Sequence, residues 1–168
     1  MNLPRIAVYG GSFDPITKGH IDIVERGARI FDQVIVAVLV NLRKEPLFSV
    51  KERMDFIANA TSHLPNVTVD HFPGLLVNYL KAKQAGFIIR GLRAVSDFES
   101  ELQLASMNRE LDPESETIFI PTHHEYSYLS SSIIKEIARH GGDVTRFVPA
   151  IVNDALIKKY EDYPQDFS

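Results

Sequence analysis

Ile6-Ala7-Val8-Tyr9-Gly10-Gly11-Ser12-Phe13-Asp14-Pro15-Ile16-Thr17-Lys18-Gly19-His20 is the stretch of sequence that decides the fold. Its first four residues predict a strand, its glycines predict a tight turn, and apolar residues at helical spacing begin near residue 18. Glycines let a backbone come close to a phosphate chain, and the start of a helix offers unpaired N–H groups with positive dipole character. The stretch therefore predicts a strand, a phosphate-binding turn and a helix.

His20 is the candidate catalytic residue of this turn. Gly19-His20 falls in the first turn of the predicted helix, where an imidazole can point toward an anion resting on the helix end. The turn matches neither the G-x-G-x-x-G dinucleotide fingerprint nor a Walker loop ending in G-K-S/T. The alternative interpretation is a tight turn in which His20 only caps the helix.

The rest of the chain alternates between short apolar runs and helical patterns. Strands are predicted at residues 6–9, 34–40, 67–70, 87–90 and 117–120, and helices at 18–31, 49–60, 75–83, 95–111, 131–140 and 148–160. This alternation predicts an α/β fold with a doubly wound, five-stranded parallel sheet. We expect a single domain over residues 1–160, followed by a C-terminal tail, 161–168, that is a candidate for disorder.

Composition excludes several classes of function. The 168 residues contain no cysteine, which excludes disulfides, a thiol nucleophile and a thiolate metal site. A net charge of −4 argues against general nucleic-acid binding. Neither a leader-like N-terminus nor an apolar run of about 18 residues is present, so we expect no membrane association and a cytoplasmic protein.

Cationic and hydroxyl side chains cluster where parallel strands should end. Two arginines flank a glycine in Arg90-Gly91-Leu92-Arg93 and can fork around phosphate oxygens, although surface ion pairs would also explain them. Lys44 follows the second strand and could neutralise a phosphate, or simply be solvated. Ser130-Ser131-Ser132 opens a helix and suits phosphates, whereas a plain N-cap needs only one serine.

Two segments carry weaker indications. Asp97, Glu101 and Asn108 fall within about 40° of one another on one helix, which is also the pattern of a solvated face. His123-His124-Glu125 could suggest a metal site. Adjacent residues of an extended chain point to opposite faces, however, so no metal site is expected there.

The motifs together resemble a known group of proteins. Thr17-Lys18-Gly19-His20 is similar to the Thr/His-x-Gly-His motif of the nucleotidyltransferase superfamily, and residues 130–135 resemble its serine-rich helix start followed by a basic residue. Gly11-Ser12-Phe13-Asp14-Pro15, residues 89–93 and the helix from Asp97 to Arg109 resemble the bacterial phosphopantetheine adenylyltransferases. The resemblance covers roughly residues 5–157 and implies a Rossmann-like nucleotidyltransferase fold.

The resemblance also implies roles for individual residues. It implies catalysis by His20 and transfer of the adenylyl group of ATP to 4′-phosphopantetheine, giving dephospho-coenzyme A and pyrophosphate. The implied ATP-binding residues are Ser12, Phe13, His20, Gly91, Leu92, Arg93, Glu101, Tyr126, Ser127, Tyr128, Leu129, Ser130, Ser131 and Ser132. The implied acceptor-binding residues are Ser12, Lys44, Leu76 and Arg90, although a leucine at a helix start is more often a core residue.

Several expectations remain open from the sequence alone. Mg²⁺ should accompany ATP, held by its phosphates and water rather than by a dedicated protein ligand. The resemblance implies a homohexamer. Rival functions are a nucleotidyltransferase for nicotinamide mononucleotide or a phosphorylated alcohol, and a non-catalytic ATP sensor. All the assignments require the turn at Gly19-His20 and the serines at 130–132 to meet around one triphosphate.

Overall fold

Five parallel strands form the centre of the computed structural model, which describes residues 4–40 and 45–161 apart from the side chains of residues 95 and 96. The strands are β1 (Ile6–Gly11), β2 (Gln33–Val40), β3 (Val67–Pro73), β4 (Phe87–Leu92) and β5 (Glu116–Pro121). They lie in the order β3-β2-β1-β4-β5, and all the pairs are parallel. The predicted five-stranded parallel sheet is therefore confirmed.

Six α-helices are present in the described part of the chain. They are α1 (Lys18–Ile30), α2 (Val50–Ala60), α3 (Leu76–Lys83), α4 (Val95–Leu111), α5 (Ser131–Arg139) and α6 (Ala150–Tyr160), and a short 3-10 helix spans His124–Tyr126. The sequence signals for their ends act as expected. Ser49 and Glu52 form a capping box at the start of α2. Gly141, at φ 74°, follows the end of α5 in the left-handed conformation that glycine favours.

Helices cover both faces of the sheet because its central strands are apolar on both sides. Along β1, Ala7 and Tyr9 belong to one buried cluster and Val8 to another. The larger cluster includes Ile23 of α1 and Ile134 of α5, whereas the smaller one packs against α3. Alternate residues of one strand thus face opposite helical layers, which is the doubly wound arrangement.

The strands extend beyond their predicted ends. Gly10 and Gly11 pair with Ala37 and Val38, so both glycines belong to β1 rather than to the turn that follows. β3 continues to Pro73. An edge strand can accommodate a proline because one side of the strand has no neighbour, so the missing N–H donor breaks no hydrogen bond there. The turn residues that follow Gly11 therefore begin at the rim of the sheet.

β1 and β4 are neighbours in the sheet, although β2 and β3 lie between them in the chain. The strand order therefore reverses between β1 and β4, which is the topological switch point where open α/β sheets bind ligands. Gly10, Gly11 and residues 90–92 lie at the carboxyl ends of these two strands. Among the described residues, no helix is both long and apolar enough to cross a membrane.

Candidate active site

A first cavity of about 480 Å³ opens at the switch point. Its floor is the carboxyl edge of β1 and β4, and the first turns of α1, α4 and α5 surround it. The described residues that line it are Tyr9, Gly10, Gly11, Ser12, Phe13, Thr17, Gly19, His20, Ile23, Arg90, Gly91, Arg93, Asp97, Ser100, Glu101, Thr122, Tyr126, Leu129, Ser130, Ser131 and Ser132. The turn at Gly19-His20 and the serines at 130–132 thus face the same space, as the sequence argument requires.

His20 is held by the capping box that opens α1. The backbone N–H of Thr17 donates to His20 Nδ1 at 3.0 Å, and the His20 N–H donates to Thr17 Oγ1 at 3.4 Å. Since a backbone N–H can only donate, Nδ1 must be the unprotonated nitrogen of the ring. The neutral ring therefore carries its proton on Nε2. His20 therefore caps the helix, as the alternative interpretation holds, and at the same time offers Nε2–H as an oriented hydrogen-bond donor.

The environment of His20 keeps the ring neutral. Burial and, to a smaller extent, the nearby positive charges of Arg93 and Arg90 together lower the pKa of His20 from 6.5 to about 4. The Phe13 ring lies edge-on to the imidazole, with 5.2 Å between their centroids. Burial also raises the pKa of the Tyr9 phenol above its usual value, so this wall of the cavity is uncharged at neutral pH.

Arg90 and Glu101 form a two-point ion pair at the rim. Arg90 Nε and Nη2 each donate to a different oxygen of Glu101 at 2.6 Å, and Arg90 Nη1 donates to the Gly10 carbonyl at 3.0 Å. The hydrogen bonds to Glu101 raise the pKa of Arg90. The pair fixes a guanidinium plane against the end of β1, because a bidentate geometry allows little rotation.

Arg93 joins α4 to the loop before α5. Its Nε donates to Asp97 Oδ2 at 3.2 Å, and its Nη1 donates to the Leu129 carbonyl at 2.9 Å. The loop that carries Tyr126 and Leu129 is thereby held over the first cavity.

The start of α5 closes the cavity opposite His20. Ser130 is the N-cap, and its Oγ accepts the Ile133 N–H at 3.1 Å. Ser131 Oγ donates to the Pro15 carbonyl at 2.7 Å, which ties α5 directly to the turn after β1. The N-termini of two helices, α1 and α5, consequently border one space, a favourable arrangement for phosphate groups because of the positive end of the helix dipole.

A second cavity of about 540 Å³ adjoins the first. Six residues line both cavities, and we name them the shared wall: Gly10, Gly11, Ser12, Arg90, Ser131 and Ser132. The other described residues lining the second cavity are Asp14, Leu39, Glu45, Pro46, Arg53, Phe72, Gly74, Leu75, Leu76, Leu104, Asn108 and Lys135. Two ligands bound in these cavities would meet at the shared wall.

The structure brings most of the predicted site residues together. Those lining the first cavity are Ser12, Phe13, His20, Gly91, Arg93, Glu101, Tyr126, Leu129, Ser130, Ser131 and Ser132, and Leu76 and Arg90 line the second. Leu92, Ser127 and Tyr128 line neither, and Tyr128 is 59% exposed. Lys44 lies outside the described residues. Leu76 also packs against the smaller core cluster, as a leucine at a helix start would.

Sequence reasoning missed part of the second cavity. Arg53 is buried and donates from Nη1 to the Ser12 carbonyl at 2.8 Å, although it reads as one of several charged residues on α2. Lys135 is the basic residue of the superfamily signature, and its pairing with Asp14 at 2.9 Å is not predicted by that signature. Asn108 is buried beside the second cavity rather than on a solvated face.

The geometric argument against a metal at His123-His124-Glu125 was wrong. Residues 124–126 form a 3-10 helix rather than an extended segment, which gathers the side chains so that their ligand atoms lie within 4.8 Å of one another. The cluster is exposed, and its His123 Nδ1 to Glu125 Oε2 distance is 3.9 Å. The expectation that no metal binds there stays a prediction.

The carboxylates of the first cavity are engaged in ion pairs. Asp97 and Glu101 line this cavity, and they pair with Arg93 and Arg90 respectively. These pairs are compatible with Mg²⁺ that enters with the phosphates of a nucleotide, which would supply its ligands together with water. The expectation that the protein offers no dedicated magnesium ligand stays a prediction.

The fold and the two adjoining cavities define an α/β protein of the doubly wound class with a candidate ligand site at its switch point. The pattern that defines the cytidylyltransferase-like family matches residues 8–137, and the chain belongs to that family of nucleotidyltransferases. It is also similar in structure to a protein from Vibrio parahaemolyticus described as a nicotinate-nucleotide adenylyltransferase, with a TM-score of 0.68 and 19% identity over 92% of this chain and 99% of the other. The superfamily and its Rossmann-like fold are thus confirmed.

Proposed function

We propose that this protein transfers the adenylyl group of ATP to 4′-phosphopantetheine and releases dephospho-coenzyme A and pyrophosphate. The observation that carries the proposal is the shared wall, where two cavities of different character meet beside His20. A group-transfer enzyme needs two substrates whose reacting atoms are in contact, and holding them in line supplies much of the catalysis of phosphoryl transfer.

ATP is assigned to the first cavity. Its phosphates fit between the N-termini of α1 and α5, where Ser130, Ser131 and Ser132 add hydroxyl groups. The adenosine part would extend toward Tyr126 and Arg93. The resemblance places Glu101 at the ribose. Glu101 can accept ribose hydroxyls while paired with Arg90, because each of its oxygens has a second lone pair.

The acceptor is assigned to the second cavity. Leu39, Phe72, Leu75, Leu76 and Leu104 give it an apolar lining suited to a flexible aliphatic arm. Two of its cations lie at the shared wall, since Arg90 belongs to the wall and Arg53 donates to the Ser12 carbonyl, so we expect the phosphate end of the acceptor to face ATP. Lys44, by resemblance, joins Ser12 and Arg90 at that phosphate.

The reaction is a direct displacement at the α-phosphorus. An oxygen of the acceptor phosphate forms the new bond to phosphorus, and the bond to the bridging oxygen of the β-phosphate breaks, so that pyrophosphate leaves with the electron pair. His20 Nε2–H donates a hydrogen bond to an oxygen of the α-phosphoryl group. With no cysteine in the chain and the serines committed to the helix end, a covalent enzyme intermediate is not needed. Mg²⁺ bound to ATP would further neutralise the phosphates.

The decisive experiment measures pyrophosphate release from ATP with a panel of acceptors. Release with 4′-phosphopantetheine at the highest kcat/KM supports the proposal. Preferential release with nicotinate or nicotinamide mononucleotide would establish the rival acceptor, which the Vibrio protein's description makes the natural comparison. Binding of ATP without release for any acceptor would indicate the sensor instead.

We further propose a cytoplasmic location and, as the resemblance implies, a homohexamer. α4 supports self-association because Phe98, Leu102, Leu104, Met107 and Leu111 are each 42–58% exposed, an apolar surface that water does not favour. Light scattering after size-exclusion chromatography should give the mass of six chains. Met107→Glu on α4 should lower that mass, whereas Ile157→Glu on α6 should leave it unchanged.

A further inference from the structure

A buried carboxylate joins three segments beneath the shared wall. Asp14 is 5% exposed, and its Oδ1 accepts the Phe48 N–H at 2.9 Å. Its Oδ2 accepts both the Leu47 N–H and the Lys135 ammonium, each at 2.9 Å. The turn after β1, the segment before α2 and helix α5 are thus linked through one side chain.

Lys135 is directed at the second cavity. It follows Ser131 by one helical turn, which places both on the same face of α5. Its side chain is 29% exposed and lines the second cavity but not the first. An ammonium has three N–H donors, and in the described part of the chain Lys135 uses one of them, on Asp14. Two donors remain for a ligand.

The other described cations of this cavity are more fully occupied. Arg90 directs three nitrogens at Glu101 and the Gly10 carbonyl. Arg53 directs Nη1 at the Ser12 carbonyl and Nε at the Ser49 carbonyl. Lys135 is therefore the described cation best placed to give new hydrogen bonds to an anion in the second cavity.

We propose that Lys135 binds the phosphate group of the acceptor and that Asp14 is its positioning residue. This inference rests on the proposed function and adds to it a residue of α5 that binds the acceptor phosphate. A lysine ammonium sits on a flexible four-carbon stem, so a fixed carboxylate partner is needed to hold it toward one ligand. The same carboxylate anchors the backbone N–H groups of Leu47 and Phe48, so the position of Asp14 itself is fixed.

The test compares Lys135→Met and Lys135→Arg with the wild type in steady-state pyrophosphate release. Loss of a charge-assisted hydrogen bond should raise the KM for the acceptor roughly 10- to 100-fold in Lys135→Met and leave the KM for ATP within about twofold. Lys135→Arg should recover most of the loss. Lys51→Met is the matched control, because Lys51 also pairs with an aspartate, Asp55, but lies outside both cavities.

Binding measurements separate phosphate recognition from folding. By calorimetry, Lys135→Met should weaken binding of 4′-phosphopantetheine and leave binding of pantetheine, which lacks the phosphate, unchanged. Asp14→Asn should reproduce part of the effect, and adding Lys135→Met to it should cost little more, because the two side chains act as one unit. If Asp14→Asn does not fold, the comparison of Lys135→Met with Lys135→Arg decides the question.

Three results would overturn the inference. They are an acceptor KM in Lys135→Met equal to that of Lys51→Met, an equal or larger rise in the KM for ATP, and equal weakening of pantetheine binding. Absence of turnover by the wild type with every phosphorylated acceptor would overturn the proposed function and this inference with it. Normal wild-type turnover with an unaffected Lys135→Met would overturn the role of Lys135 alone.

Discussion

The two cavities on either side of the shared wall are built from different materials. The surface of the first is mostly polar, with glycines, hydroxyl groups and charged side chains, whereas the surface of the second is mostly apolar, with four leucines and a phenylalanine. Polar donors suit phosphate groups, whose charge must be stabilised as the reaction proceeds. An apolar surface suits an aliphatic arm. On the proposed function, we therefore expect the rate to depend on the first cavity and the choice of acceptor on the second.

Replacing His20 should have the largest effect and tests the part assigned to the first cavity. His20→Ala should lower kcat roughly 100- to 1,000-fold, the usual consequence of removing one donor to a developing oxyanion. Pyrophosphate release at saturating concentrations of both substrates measures it. A kcat within threefold of wild type would remove His20 from the mechanism.

His20→Gln is the control for folding. A glutamine at the third helical position can still accept the Thr17 N–H and complete the capping box, so the stability of the protein should remain near that of the wild type. Its turnover should nevertheless fall, because the donor that Nε2 offers is displaced. Thermal unfolding and turnover, measured together, separate the two roles of the residue.

A change in the second cavity should act on one substrate. Leu75 lines that cavity and is 57% exposed, so Leu75→Asp should fold normally. It should raise the KM for the acceptor about tenfold through lost apolar contact, and leave the KM for ATP unchanged. Ile157→Asp, at an exposed position of α6 far from the wall, is the control. Equal changes in both KM values would show that the cavities do not divide the substrates.

The neutral state of His20 should be visible in stability against pH. The folded protein holds the pKa of His20 near 4, while the unfolded chain has the ordinary value of 6.5. Between these values the unfolded state binds the additional proton, so the contribution to stability is complete above pH 6.5 and declines as the pH falls toward 4. At pH 5.5 the wild type should lose on the order of 1 kcal/mol relative to His20→Gln. Urea unfolding at pH 7.5 and 5.5 measures the difference.

The smallest effect is expected outside the cavities. Tyr128 lines neither cavity, and its ring lies edge-on to Phe147 with 6.0 Å between centroids. Tyr128→Ala should therefore change kcat/KM for ATP by less than about threefold, within the range of an ordinary surface substitution. If Tyr128 contacts ATP, as the resemblance implies, we expect its main chain rather than its ring to make the contact. A loss of tenfold or more would place the ring against the nucleotide.

The fold and the first cavity were readable from the sequence because each depends on contiguous signals. Alternating strand and helix patterns predicted the sheet, and the segments at 10–20, 90–93 and 126–132 predicted most of the first cavity. The second cavity collects single residues from separate elements, such as Leu39, Arg53 and Phe72, none of which belongs to a motif. On α4 the usual rule that charged side chains face solvent and apolar ones are buried is reversed. Glu101 faces a cavity, while Phe98 is exposed.

The capping bond between the Thr17 N–H and His20 Nδ1 limits what the imidazole can do. With one nitrogen already accepting and the other already protonated, the ring has no lone pair with which to take a proton from a nucleophile. Asp97 and Glu101, the carboxylates on the same cavity, are bound by arginines. The attacking group must therefore arrive ionised. A phosphate monoester, with a second pKa near 6, meets that condition at neutral pH, whereas an alcohol does not.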